Sequence, residues 1–171
     1  MAVSLFGFLF VILAIQRASE LFISKRNEKW LREQGAVEYG KEHYFVVVLM
    51  HSMFFVSMLV EFYFRGGGYT PGMFHFILLG IVIILQFLRI WVMTSLGRNW
   101  NTKIFWISGN KPEKKGPYKF IRHPSYTIVL IEIFIFPLIF DLWYTAIIFT
   151  IINSFVLYFR IKVENYVFGE N

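Results

Sequence analysis

The chain has 171 residues, of which 57% are hydrophobic, 20% aromatic and 16% charged, with a mean hydropathy of +0.56. Soluble domains carry about a quarter of their residues as charges, so an ordinary water-soluble fold is excluded, and the length suits one domain, 1–171, of about five membrane spans at ~20 residues each with no separate soluble catalytic domain. Cys is absent, although the net charge reaches +6, which removes disulfides, thiolate metal sites and a Cys nucleophile.

Apolar runs lie at 3–23, 44–64, 74–96, 126–140 and 142–159. They predict an all-α polytopic membrane protein with about five transmembrane helices. The first run opens at Met1 with no basic stretch before it and no small-residue cleavage pattern after it, so it reads as a retained helix rather than a signal peptide. Near its end Arg17 and Glu20 stand three apart, on one helix face where they can pair. Gly66, Gly67 and Gly68 precede Pro71 and read as a turn, since no phosphate-loop or dinucleotide pattern accompanies them.

In the third run Gln86 and Arg89 repeat the three-residue spacing, with Arg89 about two helical turns inside the apolar stretch. An ionised side chain there costs ~2.5–3.5 kcal/mol on insertion scales and calls for a partner or a wet cavity. Glu132, two turns into the fourth run, is a partner on charge grounds; an interhelical ion pair and a ligand-pocket role for Arg89 are both open. The fourth and fifth runs are split only by Pro137 and Asp141, which predicts a helical hairpin turning at the far membrane face.

Charge placement tests the span count independently. Lys25, Arg26, Lys29, Arg32 and Lys41 follow the first run; Arg98, Lys103, Lys111, Lys114, Lys115, Lys119 and Arg122 follow the third; Arg160 and Lys162 follow the fifth. That places 14 basic residues on one face against Arg65 alone on the other. By the positive-inside rule the amino terminus is outside and the carboxyl terminus cytoplasmic, at the cell membrane, and the parity needs an odd number of spans. Attraction to anionic lipid head groups accounts for the basic balance without invoking nucleic acid.

The four His residues, His43, His51, His75 and His123, lack the paired spacing of a metal site. His51, among Met and Phe, reads as a core His, and His43 and His75 as interfacial. His123 stands between Arg122 and Pro124 within a polar island, GPYKFIRHPSY at 116–126. Pro124 suits the first turn of a helix, where its missing N–H costs nothing, and the free N–H groups of that turn attract anions. At the end of the fifth run Arg160 and Glu164, four apart, share a helix face. A hairpin returns this pair to the depth of the island.

Gly116, Pro117, Tyr118, Arg122, His123, Pro124, Ser125 and Tyr126, followed after the hairpin by Arg160 and Glu164, resemble the motifs of the isoprenylcysteine carboxyl methyltransferase family of integral membrane methyltransferases. The resemblance covers about the last 75 residues, from Gly97 onward, and the length is similar to that of short prokaryotic members. It implies S-adenosylmethionine held in a cytoplasm-facing region, about 97–171, with a lipophilic acceptor entering from the bilayer. Tyr118, His123, Pro124, Ser125, Tyr126 and Glu164 would line the cofactor, Arg160 and Glu164 would be catalytic, and Arg160, with Arg89, would bind the acceptor. The chain departs from the family pattern at Asn165, where the family has a second Glu, and at Asn110, Lys111, Pro112 and Glu113.

Methyl transfer from a sulfonium is an in-line displacement that needs positioning and dryness more than a base when the acceptor is already an anion. The reading is therefore O-methylation of a carboxylate or acidic enol oxygen, prenylcysteine-like or alkylpyrone-like. A phospholipid N-methyltransferase, an NADPH-dependent membrane reductase and a non-enzymatic scaffold are the alternatives, separated by which cofactor binds.

Overall fold

The structure, a computed structural model, describes residues 2–108 and 114–168. Five α-helices carry the chain: α1 (Ala2–Glu33), α2 (Lys41–Phe64), α3 (Met73–Leu96), α4 (Pro124–Leu138) and α5 (Trp143–Val167). Four of them, α1, α2, α3 and α5, are long and apolar enough to cross a membrane, whereas α4 is a shorter apolar helix. The chain is an integral membrane protein. Residues 110–113, where the sequence leaves the family pattern, fall outside the described residues.

Two helices run well past the apolar runs that predict them. At 32 residues and 1.5 Å per residue, α1 is about 48 Å long, longer than the ~30 Å hydrocarbon core. Its last ten residues therefore project as a polar arm. Glu20, one turn before the arm, and Ser24, Asn27 and Leu31 along it are all buried; their spacing of four, three and four places them on one face. Similarly α5 continues to Val167, so Arg160 and Glu164 are helical.

A small β-ribbon joins the helices and is missing from the sequence reading. Strand β1 (Val37–Tyr39) pairs antiparallel with β2 (Ile104–Trp106), in the register Val37 with Trp106 and Tyr39 with Ile104. Three-residue strands carry too little alternation to register against long helical runs. The α1 arm fixes this ribbon: Asn27 Nδ2 donates to the carbonyls of Trp100 at 2.7 Å and Gly97 at 3.2 Å. Ser24 Oγ lies 2.9 Å from Asn101 Oδ1 and 2.7 Å from Thr102 Oγ1, and Lys103 pairs with Glu28 at 3.0 Å and Glu38 at 3.4 Å.

At the other end of the bundle Phe6 stacks on Phe62, with ring centroids 3.9 Å apart, and Phe140 packs edge-on against Phe6. Residues 139–142 link α4 to α5, and Ile139, Phe140 and Leu142 are buried there. The Pro137 carbonyl accepts from the Phe140 and Leu142 N–H groups, and the Glu61 carboxylate caps α5 by accepting from Tyr144 N–H at 3.1 Å and Thr145 N–H at 2.7 Å. Helices α4 and α5 pack against each other more than any other pair, with α3 against α4 next. The glycine turn forms as the sequence suggests, with positive φ at Gly66 and Gly67.

Between the two ends lies a buried charge quartet. Arg89 Nη2 donates to Glu132 Oε2 at 2.5 Å and Arg89 Nη1 to Glu20 Oε1 at 3.1 Å. Arg17 reaches Glu20 at 2.8 Å and also bonds Glu132. Gln86 donates to Glu132 at 2.7 Å and Gln16 to Glu20 at 3.0 Å. Two cations and two carboxylates from α1, α3 and α4 thus cancel where a single charge would be costly.

Candidate functional site

Pro124 occupies the first turn of α4 and His123 the position before it, so the predicted helix start is where the sequence places it. Ahead of it, Gly116–Lys119 form a 3-10 turn. Gly116 has φ +53, and a Cβ there would lie 2.0 Å from Ser95 Oγ and 3.2 Å from Trp91 Nε1. Only glycine lets this loop close onto the end of α3. That close approach explains the first residue of the motif.

The island and the end of α5 meet through one phenol. Tyr126 donates its hydroxyl to Glu164 Oε1 at 2.5 Å and accepts from Arg160 Nε at 2.9 Å. Arg160 and Glu164 are therefore joined through Tyr126. On the far side of the carboxylate, His123 Nδ1 lies 3.1 Å from Glu164 Oε2, and its ring stacks parallel to that of Tyr126 at 5.5 Å. Tyr118 Oη is 3.4 Å from Ser125 Oγ. Burial pushes the Tyr118 phenol above its usual range, the Ser125 contact works against this, and the Glu164 carboxylate adds to it.

The remaining contact of Arg160 comes from a residue that the sequence reading misses. Arg160 Nη2 bonds the Thr102 carbonyl, and the Thr102 hydroxyl lies 3.3 Å from Tyr44 Oη. The α1 arm holds Thr102 in turn. Its only trace in the sequence is the polar stripe Glu20, Ser24, Asn27 at core spacing just past an apolar run. The structure thus brings Tyr118, His123, Pro124, Ser125, Tyr126, Arg160 and Glu164 together at the ribbon end of the bundle. Arg89 is not with them; it belongs to the charge quartet, which is the ion-pair alternative of the two that its sequence context leaves open.

One buried polar atom in this cluster lacks a partner among the described residues: His123 Nε2. A buried polar atom left unbonded costs about 1–3 kcal/mol, which a ligand group would relieve. The donor set suits an adenosyl sulfonium: neutral polar atoms and aromatic faces for the nucleoside, and the Glu164 carboxylate for the positive charge. The residues present therefore fit that cofactor.

Long apolar helices that carry a partly buried chain of His, Tyr, Glu and Arg at one end define an integral membrane protein with a polar site at one end of its helix bundle. The sequence profile of the Isoprenylcysteine carboxyl methyltransferase (ICMT) family matches residues 78–169, more than half of the chain, and the protein belongs to that family of methyltransferases. It is 36% identical over 161 residues to the uncharacterized protein YpbQ of Bacillus subtilis (strain 168), covering 94% of this chain and 95% of that one. An uncharacterized protein of Haemophilus influenzae is 30% identical over 154 residues, 90% of this chain and 88% of that protein. Both likenesses extend well before residue 78. No solved structure gives a significant match.

Proposed function

We propose that the protein transfers the methyl group of S-adenosylmethionine to an anionic oxygen, a carboxylate or acidic enol, of a lipophilic small molecule at the cytoplasmic face of the cell membrane. The observation that carries this reading is the continuous chain His123, Glu164, Tyr126, Arg160, which links the start of α4 to the end of α5. Five crossings, with α4 and α5 as a hairpin and the amino terminus outside, accord with the charge asymmetry of the connecting segments.

Tyr118, His123, Pro124, Ser125, Tyr126 and Glu164 would hold the cofactor, which supplies an electrophilic methyl on a positively charged sulfur. The Glu164 carboxylate complements that charge at low dielectric, and the two tyrosines exclude water. Arg160 uses Nε and Nη2 to fix itself between Tyr126 and Thr102. Its Nη1, for which no hydrogen-bond partner exists among the described residues, holds the acceptor oxyanion. Pinning the guanidinium on both sides limits its motion, so the oxygen is presented in line with little entropy left to lose. An acceptor that arrives as an anion needs no general base, which suits a site whose carboxylate and imidazole are already bonded to each other.

Purified protein in detergent, incubated with methyl-labelled S-adenosylmethionine and a host lipid extract, tests the reading. Label in a base-labile ester or an enol ether is the expected result. Label in a quaternary or tertiary amine head group, or saturable binding of NADPH in place of S-adenosylmethionine, would replace it.

A further inference from the structure

The polar island carries two side chains that the proposed chemistry does not use and that water does not suit. Phe120 is 80% exposed and Ile121 48%, and both stand between Tyr118 and His123. Exposed apolar groups rimmed by polar ones mark interaction surfaces, membranes included. The rim here is basic, since Lys114, Lys115, Lys119 and Arg122 are all exposed.

Depth decides what faces this pair. Gly116 closes the loop onto the Trp91 and Ser95 side chains of α3, and Tyr118 packs further in, against the cluster of Leu85, Val92 and Ile128. These α3 residues all belong to the apolar run 74–96. Trp91 is itself exposed, and indole rings settle at head-group level. The loop is therefore docked against the last apolar turns of α3 rather than beyond them. Directly after it Pro124 opens α4, a further apolar helix.

We propose that Phe120 and Ile121 form a wedge in the boundary between head groups and acyl chains at the ribbon end of the bundle, with Lys119 beside them on the head group of an anionic phospholipid. Charge complementarity selects that lipid. A cation next to an apolar pair adds electrostatic attraction to burial at an anionic surface, and a zwitterionic surface supplies only the burial. A soluble partner would have to displace lipid from the end of α3 to reach the pair. The wedge does not depend on the methyltransferase reading, yet it bears on the site: Tyr118 and His123 flank it, so lipid steadies from outside the loop that α3 holds from inside.

The chain has no Cys, so Phe120→Cys and Ile121→Cys can each carry a single nitroxide in the intact protein. The labelled proteins are placed in nanodiscs of phosphatidylcholine alone or with phosphatidylglycerol added. Power-saturation EPR then compares collisions with oxygen, which partitions into lipid, and with a nickel chelate, which stays in water. Glu33→Cys, exposed at the end of the α1 arm, is the water reference, and Phe87→Cys, exposed along α3, the lipid reference. With phosphatidylglycerol the labels at 120 and 121 should lie about 5–10 Å inside the head-group boundary. Without it, or after adding Lys119→Glu, they should shift outward toward the Glu33 value. Nickel accessibility equal to that at Glu33 in both lipids would overturn the wedge. A depth that neither the lipid charge nor Lys119→Glu alters would overturn the anionic contact. Shielding from nickel and oxygen alike, or dipolar broadening between labels in discs holding two copies, would show protein covering the pair and overturn the proposal in favour of a protein partner.

Discussion

Replacing Glu132 with Gln keeps the shape of the side chain and removes one of the two negative charges in the buried quartet. The carboxylate is 2% exposed and accepts from Arg89 at 2.5 Å, Gln86 at 2.7 Å and Arg17. Without it two guanidinium groups face Glu20 alone, and the neutral cluster acquires a net charge of +1 in the interior of the bundle. Removing one partner of a buried ion pair costs about 3–5 kcal/mol, about a fifth or more of the 5–15 kcal/mol by which domains are typically stable. The E132Q variant should therefore unfold at markedly lower denaturant than wild type in an SDS titration of mixed micelles followed by tryptophan fluorescence. Adding Arg89→Met restores neutrality, since Arg17 and Glu20 still pair at 2.8 Å, and the double variant should recover about 1–3 kcal/mol relative to the single one. An E132Q loss below about 1 kcal/mol, or a double variant no more stable than the single, would refute charge balance as what holds the quartet.

Tyr126→Phe deletes the hydroxyl bonded to both Arg160 and Glu164, leaving two charged groups short of a partner; a loss of about 1–3 kcal/mol at the transition state is expected as a fall in kcat of roughly 5-fold to 150-fold, read by methyl transfer in detergent. Asn27→Ala removes both bonds that tie the α1 arm to the Gly97 and Trp100 carbonyls. Its thermal midpoint should fall by an amount matching about 1–3 kcal/mol, with turnover reduced because Thr102 no longer fixes Arg160; wild-type turnover in this variant would show that the arm does not position the site. Gly116→Ala should abolish activity through the clash with Ser95, and adding Ser95→Gly should restore part of it, the unrelieved positive φ still costing about 1–2 kcal/mol.

The helices were legible because apolar runs of ~20 residues need a lipid solvent, and the motif residues because their spacing from Pro124 and along α5 fixes which face they share. What the sequence could not supply was the partner across space. Arg89 and Glu132 are 43 positions apart, and nothing in either segment distinguishes an ion pair from a pocket until α3 and α4 are packed together. The ribbon was illegible for a different reason. Its strands are three residues long, and pairing across the 64 positions between Tyr39 and Ile104 leaves no local period. Thr102 was invisible because Arg160 bonds its main-chain carbonyl, a contact that any residue type could supply.

The shortness of α4 bears on where this protein works best. Fifteen residues span about 22 Å, against ~30 Å of hydrocarbon, and Trp143 and Tyr144 just beyond the link are exposed, where aromatic rings settle at head-group level. A fifth crossing made by α4, as proposed above, would match a bilayer several ångströms thinner than average along this flank, and adjacent lipids would shorten or tilt to meet it, at fractions of a kcal/mol per ångström of mismatch. The enzyme would thus favour short or unsaturated acyl chains as neighbours, and the composition of the surrounding lipid would bias how snugly α4 and α5 seat at the site they share.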